Sequence, residues 1–174
     1  MRLSIEELPR HLSKGLQPLY VIHGAAMLLA IEAADAIRTA ARNEGCSERE
    51  VLIADTGFKW AELRNSAQGM SLFSTRKLLD LRIPTGKPGV EGAQALQDYC
   101  GQLNADTVTL ISLPRLDAAT LKTKWFGALA EQGVVVAADP GDVVVPLAQQ
   151  HRSLTGGDGI VEAVDQVALP REEL

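Results

Sequence analysis

Short runs of β-branched and leucine residues alternate along this chain with longer stretches that repeat apolar residues at helical spacing. Leu19-Tyr20-Val21-Ile22-His23, closed by Gly24, reads as a first strand. Met27 to Arg42 reads as a helix that closes near Gly45, with Ile31, Ala34, Ile37 and Ala41 as its buried stripe. Glu50 to Asp55 reads as a second strand. Trp60 to Gln68 follows as a helix with Trp60, Leu63 and Ala67 on one face, and Leu78 to Ile83 is the third strand. Ala93 to Leu103, with Leu96, Tyr99 and Leu103 at helical spacing, precedes a fourth strand, Thr107 to Ser112. A helix over Ala119 to Glu131 and a strand over Val134 to Ala138 complete the series. Ahead of it, Ser4 and Glu7 stand at capping-box spacing. They predict a short helix carrying Ile5, Leu8 and Leu12, weakened in its middle by Pro9.

Strands and helices in this alternation predict an open, mainly parallel, five-stranded α/β sheet covered by helices on both faces. The pattern accounts for residues 16 to about 140. Beyond it come a turn at Asp139-Pro140-Gly141-Asp142, an apolar run from Val143 to Gln149, and the loop Thr155-Gly156-Gly157-Asp158-Gly159. Ile160 to Ala168 fits a short helix or a strand equally well. These last residues are too few to form a second domain with its own core.

The 174 residues suffice for one domain with a real core. Aromatic residues make up only 4%, so that core must consist mainly of Leu, Val, Ile and Ala. A net charge of -5 gives no bulk attraction to nucleic acid, which leaves Arg115, Lys122 and Lys124 as a local candidate for DNA contact. Cys46 and Cys100 lie far apart, and His11, His23 and His151 do not join them at ligand spacing. That argues against a zinc site or disulfide framework and for a reducing cytoplasm. The acidic start Met1-Arg2-Leu3-Ser4-Ile5-Glu6-Glu7 does not read as a signal peptide. No apolar run approaches the roughly 20 residues of a membrane span.

A strand, a tight glycine turn and a helix open the P-loop fold, so Gly24 is the place to look for phosphate chemistry. A Walker A loop needs a second glycine, then Lys and Ser or Thr, so that backbone amides and an ammonium meet the phosphates. Gly24 is followed by Ala25-Ala26-Met27-Leu28-Leu29-Ala30-Ile31 instead. The glycine pattern of a dinucleotide site is missing for the same reason. In Pro84-Thr85-Gly86-Lys87-Pro88-Gly89 two prolines remove amide donors, and no Lys-Ser/Thr pair opens a helix. After the fourth strand, Leu113-Pro114-Arg115-Leu116-Asp117 holds no pair of acids for magnesium. No Ser or Cys stands in a nucleophile context. The residues predict a nucleotide-site shape without its chemistry, with no catalytic, cofactor or metal residues.

One stretch stands apart. Gln68-Gly69-Met70-Ser71-Leu72-Phe73-Ser74-Thr75-Arg76 sets three large apolar side chains, Met70, Leu72 and Phe73, among small and polar residues just before a strand. By chemistry alone it fits two readings: core filling beside that strand, or a short protruding anchor.

Several segments together resemble the N-terminal domain of the delta subunit of bacterial DNA polymerase III, the clamp-loader subunit that opens the ring-shaped sliding clamp. They are Leu19 to Gly24 with the helix that follows, Met70 through Arg82, Pro84 to Gly89, and Trp125-Phe126-Gly127-Ala128-Leu129. The resemblance covers residues 1–148. It implies an AAA+-like, P-loop NTPase-like fold with a degenerate nucleotide site, in agreement with the residues around Gly24. It also implies that Met70, Leu72 and Phe73 bind the sliding clamp, the beta subunit, with Leu72 and Phe73 entering an apolar pocket and Gln68 adding a polar contact. Arg76 and Lys77 fit either acids around such a pocket or a solvated strand edge.

By the same resemblance the partners are the clamp and, in a full-length subunit, the other loader subunits, with DNA reached only through the assembly. The resemblance also carries the association with a DNA-directed DNA polymerase holoenzyme, a nucleotidyltransferase, although no catalytic site is visible here. The family's subunit is about twice this length, with a last domain that forms a collar. Residues 149–174 are expected to be a tail outside the family pattern, of the kind a truncation or a shifted reading frame leaves.

Overall fold

The computed structural model describes residues 1–69 and 76–139. In chain order they form β1 (Arg2–Ser4), α1 (Leu8–Leu12), β2 (Leu19–His23), α2 (Met27–Asn43), β3 (Cys46–Ile53) and α3 (Ala61–Gln68). Then come β4 (Arg76–Arg82), α4 (Gly89–Cys100), β5 (Thr107–Ser112), a 3-10 turn at Thr120–Lys122, α5 (Lys124–Gln132) and β6 (Val134–Ala137). The expected parallel α/β sheet is present, with six strands in the order β1-β6-β2-β5-β4-β3, each pair parallel.

The sixth strand is β1, where a helix cap was expected. The Ser4 N–H and hydroxyl do donate to Glu7 Oε2, at 2.9 and 3.2 Å. The helix nevertheless begins only at Leu8, with Pro9 in its first turn, where a missing N–H breaks no helical bond. Arg2 to Ser4 instead pair with Val135 to Ala137. The terminal ammonium of Met1 donates to the carbonyls of Ala130 and Gly133, fixing that edge. Other bounds moved less. β3 starts at Cys46, α4 at Gly89, and the helix expected from Ala119 is a 3-10 turn followed by α5.

Each face of the sheet has its own core. Leu19, Val21, Leu79, Leu81 and Ile111 pack against Leu63, Leu96, Phe126 and Leu129 of α3, α4 and α5. Tyr20, Ile22, Leu110 and Val136 pack against Leu8 of α1 and Ile37 and Ala41 of α2. The buried stripe of α2 is Ala33, Ala34, Ile37 and Ala41, and Ile31 is exposed, contrary to expectation. At about 100° per residue Ile31 sits about 120° around the helix from Ile37.

Helices lie on both faces, as expected, and among the described residues one face is covered more fully than the other. Crossovers between parallel strands are right-handed. The steps β3 to β4, β4 to β5 and β5 to β6 all run the same way across the sheet, so α3, α4 and α5 share a face. Only the steps β1 to β2 and β2 to β3 run the other way, leaving α1 and α2 for the second face. Beside them Val51 and Ile53 of β3 remain exposed.

Candidate functional site

Two places carry the chemistry that the sequence singled out: the turn after β2 and the junction between α3 and β4.

At the turn, Gly24 adopts φ 155°, and a Cβ placed there would lie 2.1 Å from the Ala138 carbonyl oxygen. The neighbouring amides, which in a phosphate loop would face the ligand, are taken by the chain itself. Ala26 N–H donates to the Ala138 carbonyl at 2.9 Å, and Ala25 N–H donates to the Asp139 carboxylate at 3.1 Å. In return Ala138 N–H donates to the His23 carbonyl at 2.7 Å. A carboxylate thus occupies the anion position at the N-terminus of α2, a helix without any side-chain cap of its own. His23 is buried edge-on against Phe126. Burial lowers its pKa, with Arg2 adding to the effect and Asp139 opposing it. After β5, Asp117 accepts the Thr120 N–H at 2.6 Å, and the Thr120 side chain, then this N–H, hold its carboxyl below the usual range.

At the other place, α3 is held by buried Leu63 and Ala67, with Trp60 buried at its start. Trp60 lies so close over Gly92 of α4 that a Cβ there would meet the indole at 2.4 Å. The helix ends at Gly69, whose N–H donates to the Asn65 carbonyl at 2.8 Å. Gln68 is exposed, and its side-chain amide reaches Gln102 of α4 at 3.4 Å. A groove of about 480 Å³ between α3 and α4, lined by Trp60, Leu63, Val90, Tyr99 and Gln102, opens beside that pair. Met70, Leu72 and Phe73 lie outside the described residues.

Lys77 and Arg76, on the far side of that segment, are neither a solvated edge nor offered to a partner's acids. Lys77 is buried, and its ammonium donates to the carbonyls of Ser66 and Gly69, the latter at 2.7 Å. It satisfies orphan carbonyls at the C-terminus of α3, where a cation also meets the favourable end of the helix dipole. Arg76 reaches Glu44 Oε2 at 3.0 Å and the Ala105 carbonyl at 3.2 Å. One signal for Lys77 was present in the sequence. Its period-2 alternation with Leu79 and Leu81 places it on an inward face.

The parallel six-stranded sheet with helices on its faces and the self-occupied amides after Gly24 define the class: an open, parallel α/β domain. The sequence profile of the family described as DNA polymerase III, delta subunit, matches residues 20–139. This chain belongs to that family.

It is 32% identical over 136 residues to the DNA polymerase III subunit delta of Escherichia coli K12, a match covering 78% of this chain and 40% of the relative. It is 29% identical over 125 residues to the Haemophilus influenzae subunit of the same name, covering 72% of this chain and 36% of the relative. The chain therefore spans well under half the length of these two relatives. Among solved structures, the Bacillus subtilis DNA clamp loader delta protein superposes with a TM-score of 0.64 at 19% identity, over 78% of this chain and 42% of that one. Among the described residues no helix is long and apolar enough to cross a membrane.

Proposed function

We propose that this domain is the clamp-binding part of a clamp-loader delta subunit, acting in DNA replication by gripping the sliding clamp and favouring its opened ring. In this reading the domain runs over residues 1–148, with 149–174 as a tail outside the family pattern. Met70, Leu72 and Phe73 form the apolar anchor, and Gln68 adds a polar contact at its base.

The observation that carries the proposal is the fixed frame around residues 70–75. Lys77 ties the returning flank to Gly69 at the end of α3, where the segment begins, and Arg76 on that same returning flank reaches Glu44. Burying Leu72 and Phe73 contributes about 1.5–3 kcal/mol each. Association costs several kcal/mol in lost freedom, so a pair of anchors binds well only when presented from an ordered base. The frame lowers that ordering cost.

Ring opening is mechanical in this account. A ligand shifts an equilibrium only by its differential affinity for the two states, so the anchor must fit the opened or strained ring better than the closed one. No nucleotide chemistry is assigned to this domain, because the amides of Ala25 and Ala26 already hold Asp139 and Ala138. The partners are the clamp and the remaining loader subunits in the cytoplasm. DNA is met through the assembled loader rather than through Arg115, Lys122 and Lys124.

A clamp labelled with a fluorophore pair across its subunit interface tests the proposal. Saturating amounts of this chain, without ATP, should separate the pair. An unchanged signal from a chain that binds the clamp would leave ring opening without support and reduce the domain to a passive tether.

A further inference from the structure

The uncovered part of the sheet has a chemistry of its own. On the face shared with α2, β3 presents Arg49, Val51 and Ile53, and β4 presents Leu78, Asp80 and Arg82, in the register Arg49↔Leu78, Val51↔Asp80 and Ile53↔Arg82. Residues paired across a parallel ladder share a face, and Leu78 belongs to the core formed with α2. Ile31 and Arg38, seven residues apart, lie on one flank of α2. Arg38 reaches across to Asp80 Oδ2 at 3.0 Å, so that flank borders β4. The result is a trough, with a wall on α2, a floor on β3 and β4, and an open side where β3 ends the sheet.

Its upper half is apolar and exposed: Ile31 is 49% accessible, Val51 43% and Ile53 50%. Its lower half is cationic. Asp80 is fully buried among three arginines, accepting from Arg38 and Arg49 at Oδ2, with Arg82 Nε 3.5 Å from an Oδ1 that receives no hydrogen bond. Arg49 and Arg82 keep about two-fifths of their side chains exposed, at 41% and 43%. Facing groups of the opposite sign are Asp80 itself and Asp35, which pairs with Arg38 at 2.6 Å.

Parallel sheets are almost always covered on both faces, and among the described residues no helix fills the slot beside α2. We propose that the trough receives an amphipathic helix from another subunit of the loader, one whose apolar stripe meets Ile31, Val51 and Ile53 and whose acidic flank meets Arg49 and Arg82. A nucleic-acid backbone would meet the arginines but bury none of the three aliphatic side chains. The charge pattern, basic in a chain of net charge -5, selects an acidic partner. This inference rests on the loader membership proposed above and is separate from the clamp anchor.

The test uses the polypeptide in the form its organism makes, mixed with the remaining purified loader subunits. Amide hydrogen exchange is followed over residues 31–38 and 49–53, beside an Ile31→Ser/Ile53→Ser variant whose folding is checked by thermal unfolding. The proposal expects exchange in both segments to slow at least tenfold on assembly. It also expects the folded variant to assemble at least tenfold more weakly while binding the clamp within twofold of the parent.

It is overturned if exchange does not change and the variant assembles like the parent. Protection already present in the free polypeptide overturns it as well, since the chain would then cover the trough itself. Protection raised by the clamp alone does the same. Failure of the parent to bind the clamp would instead sink the clamp-anchor reading, leaving the assembly readout to judge this one.

Discussion

The ammonium of Lys77 donates to the carbonyl of Gly69 at 2.7 Å, joining the second residue of β4 to the residue that ends α3. The six residues between Gly69 and Arg76 are thus bracketed by tied residues, and these six include Met70, Leu72 and Phe73.

Replacing that lysine tests the frame. Lys77→Met keeps the stem but strands the carbonyls of Ser66 and Gly69, each at about 1–3 kcal/mol if left unsatisfied. A urea titration should show a loss of about 2–3 kcal/mol at unchanged slope, together with weaker clamp binding. Normal stability in the variant would mean that water replaces the ammonium and the frame is not held by this contact.

Gly24 is constrained by both backbone and space. Gly24→Ala would combine a strained positive φ with a Cβ 2.1 Å from a backbone oxygen that cannot swing aside. We expect destabilisation of about 2 kcal/mol or more. A milder change, Asp139→Asn, keeps an acceptor for Ala25 N–H but removes the negative charge from the end of α2. It should cost less than about 1 kcal/mol, and that cost should shrink in high salt. Thermal unfolding with and without salt measures both.

Burial keeps His23 neutral, and its pKa lies below the usual value. The folded chain binds this proton less readily than the unfolded chain does. Stability therefore falls as pH drops below about 6.5, the unfolded value, until the lowered folded pKa is passed. Between pH 7.5 and 5.5 the His23→Asn variant should lose less stability than the parent. Parallel pH profiles for the two would show that His23 titrates alike in both states. His11 shifts the same way, through burial and then Lys14, and remains as the background in both chains.

Burial pushes the Cys100 thiol up to about 11, and Cys46 is also raised by burial. Both cysteines should react with a maleimide in the native chain far more slowly than in urea, with a rate that follows unfolding. Rapid labelling at pH 7.5 without denaturant would show that the cores around them open locally.

Strong local patterns predicted the fold well. The strands Leu19–His23 and Thr107–Ser112 have the bounds expected of their β-rich runs. β1 was illegible because three residues hold no period, and only its pairing with Val135 to Ala137 makes it a strand. Ile31 misled because helical spacing marks a stripe without saying how wide the neighbouring layer is.

That no lysine or hydroxyl closely follows Gly24 could be read from the sequence. The carboxylate that takes their place could not, since Asp139 lies 114 residues from Ala25. At the anchor, Met70, Leu72 and Phe73 stood out as apolar residues, but their role came from the family resemblance, because a core cluster has the same composition. The trough beside α2 follows from the direction of the crossovers, a property of strand order that no single segment encodes.

Binding of this chain to the sliding clamp of its own organism, measured beside the Leu72→Ala/Phe73→Ala variant, is the most direct test of the account. Both proteins should give the same circular dichroism. The account predicts saturable binding by the parent and a loss of about 2–4 kcal/mol in the variant, some 30-fold or more in affinity. Equal binding by two folded proteins would contradict it and place the clamp contact on another surface.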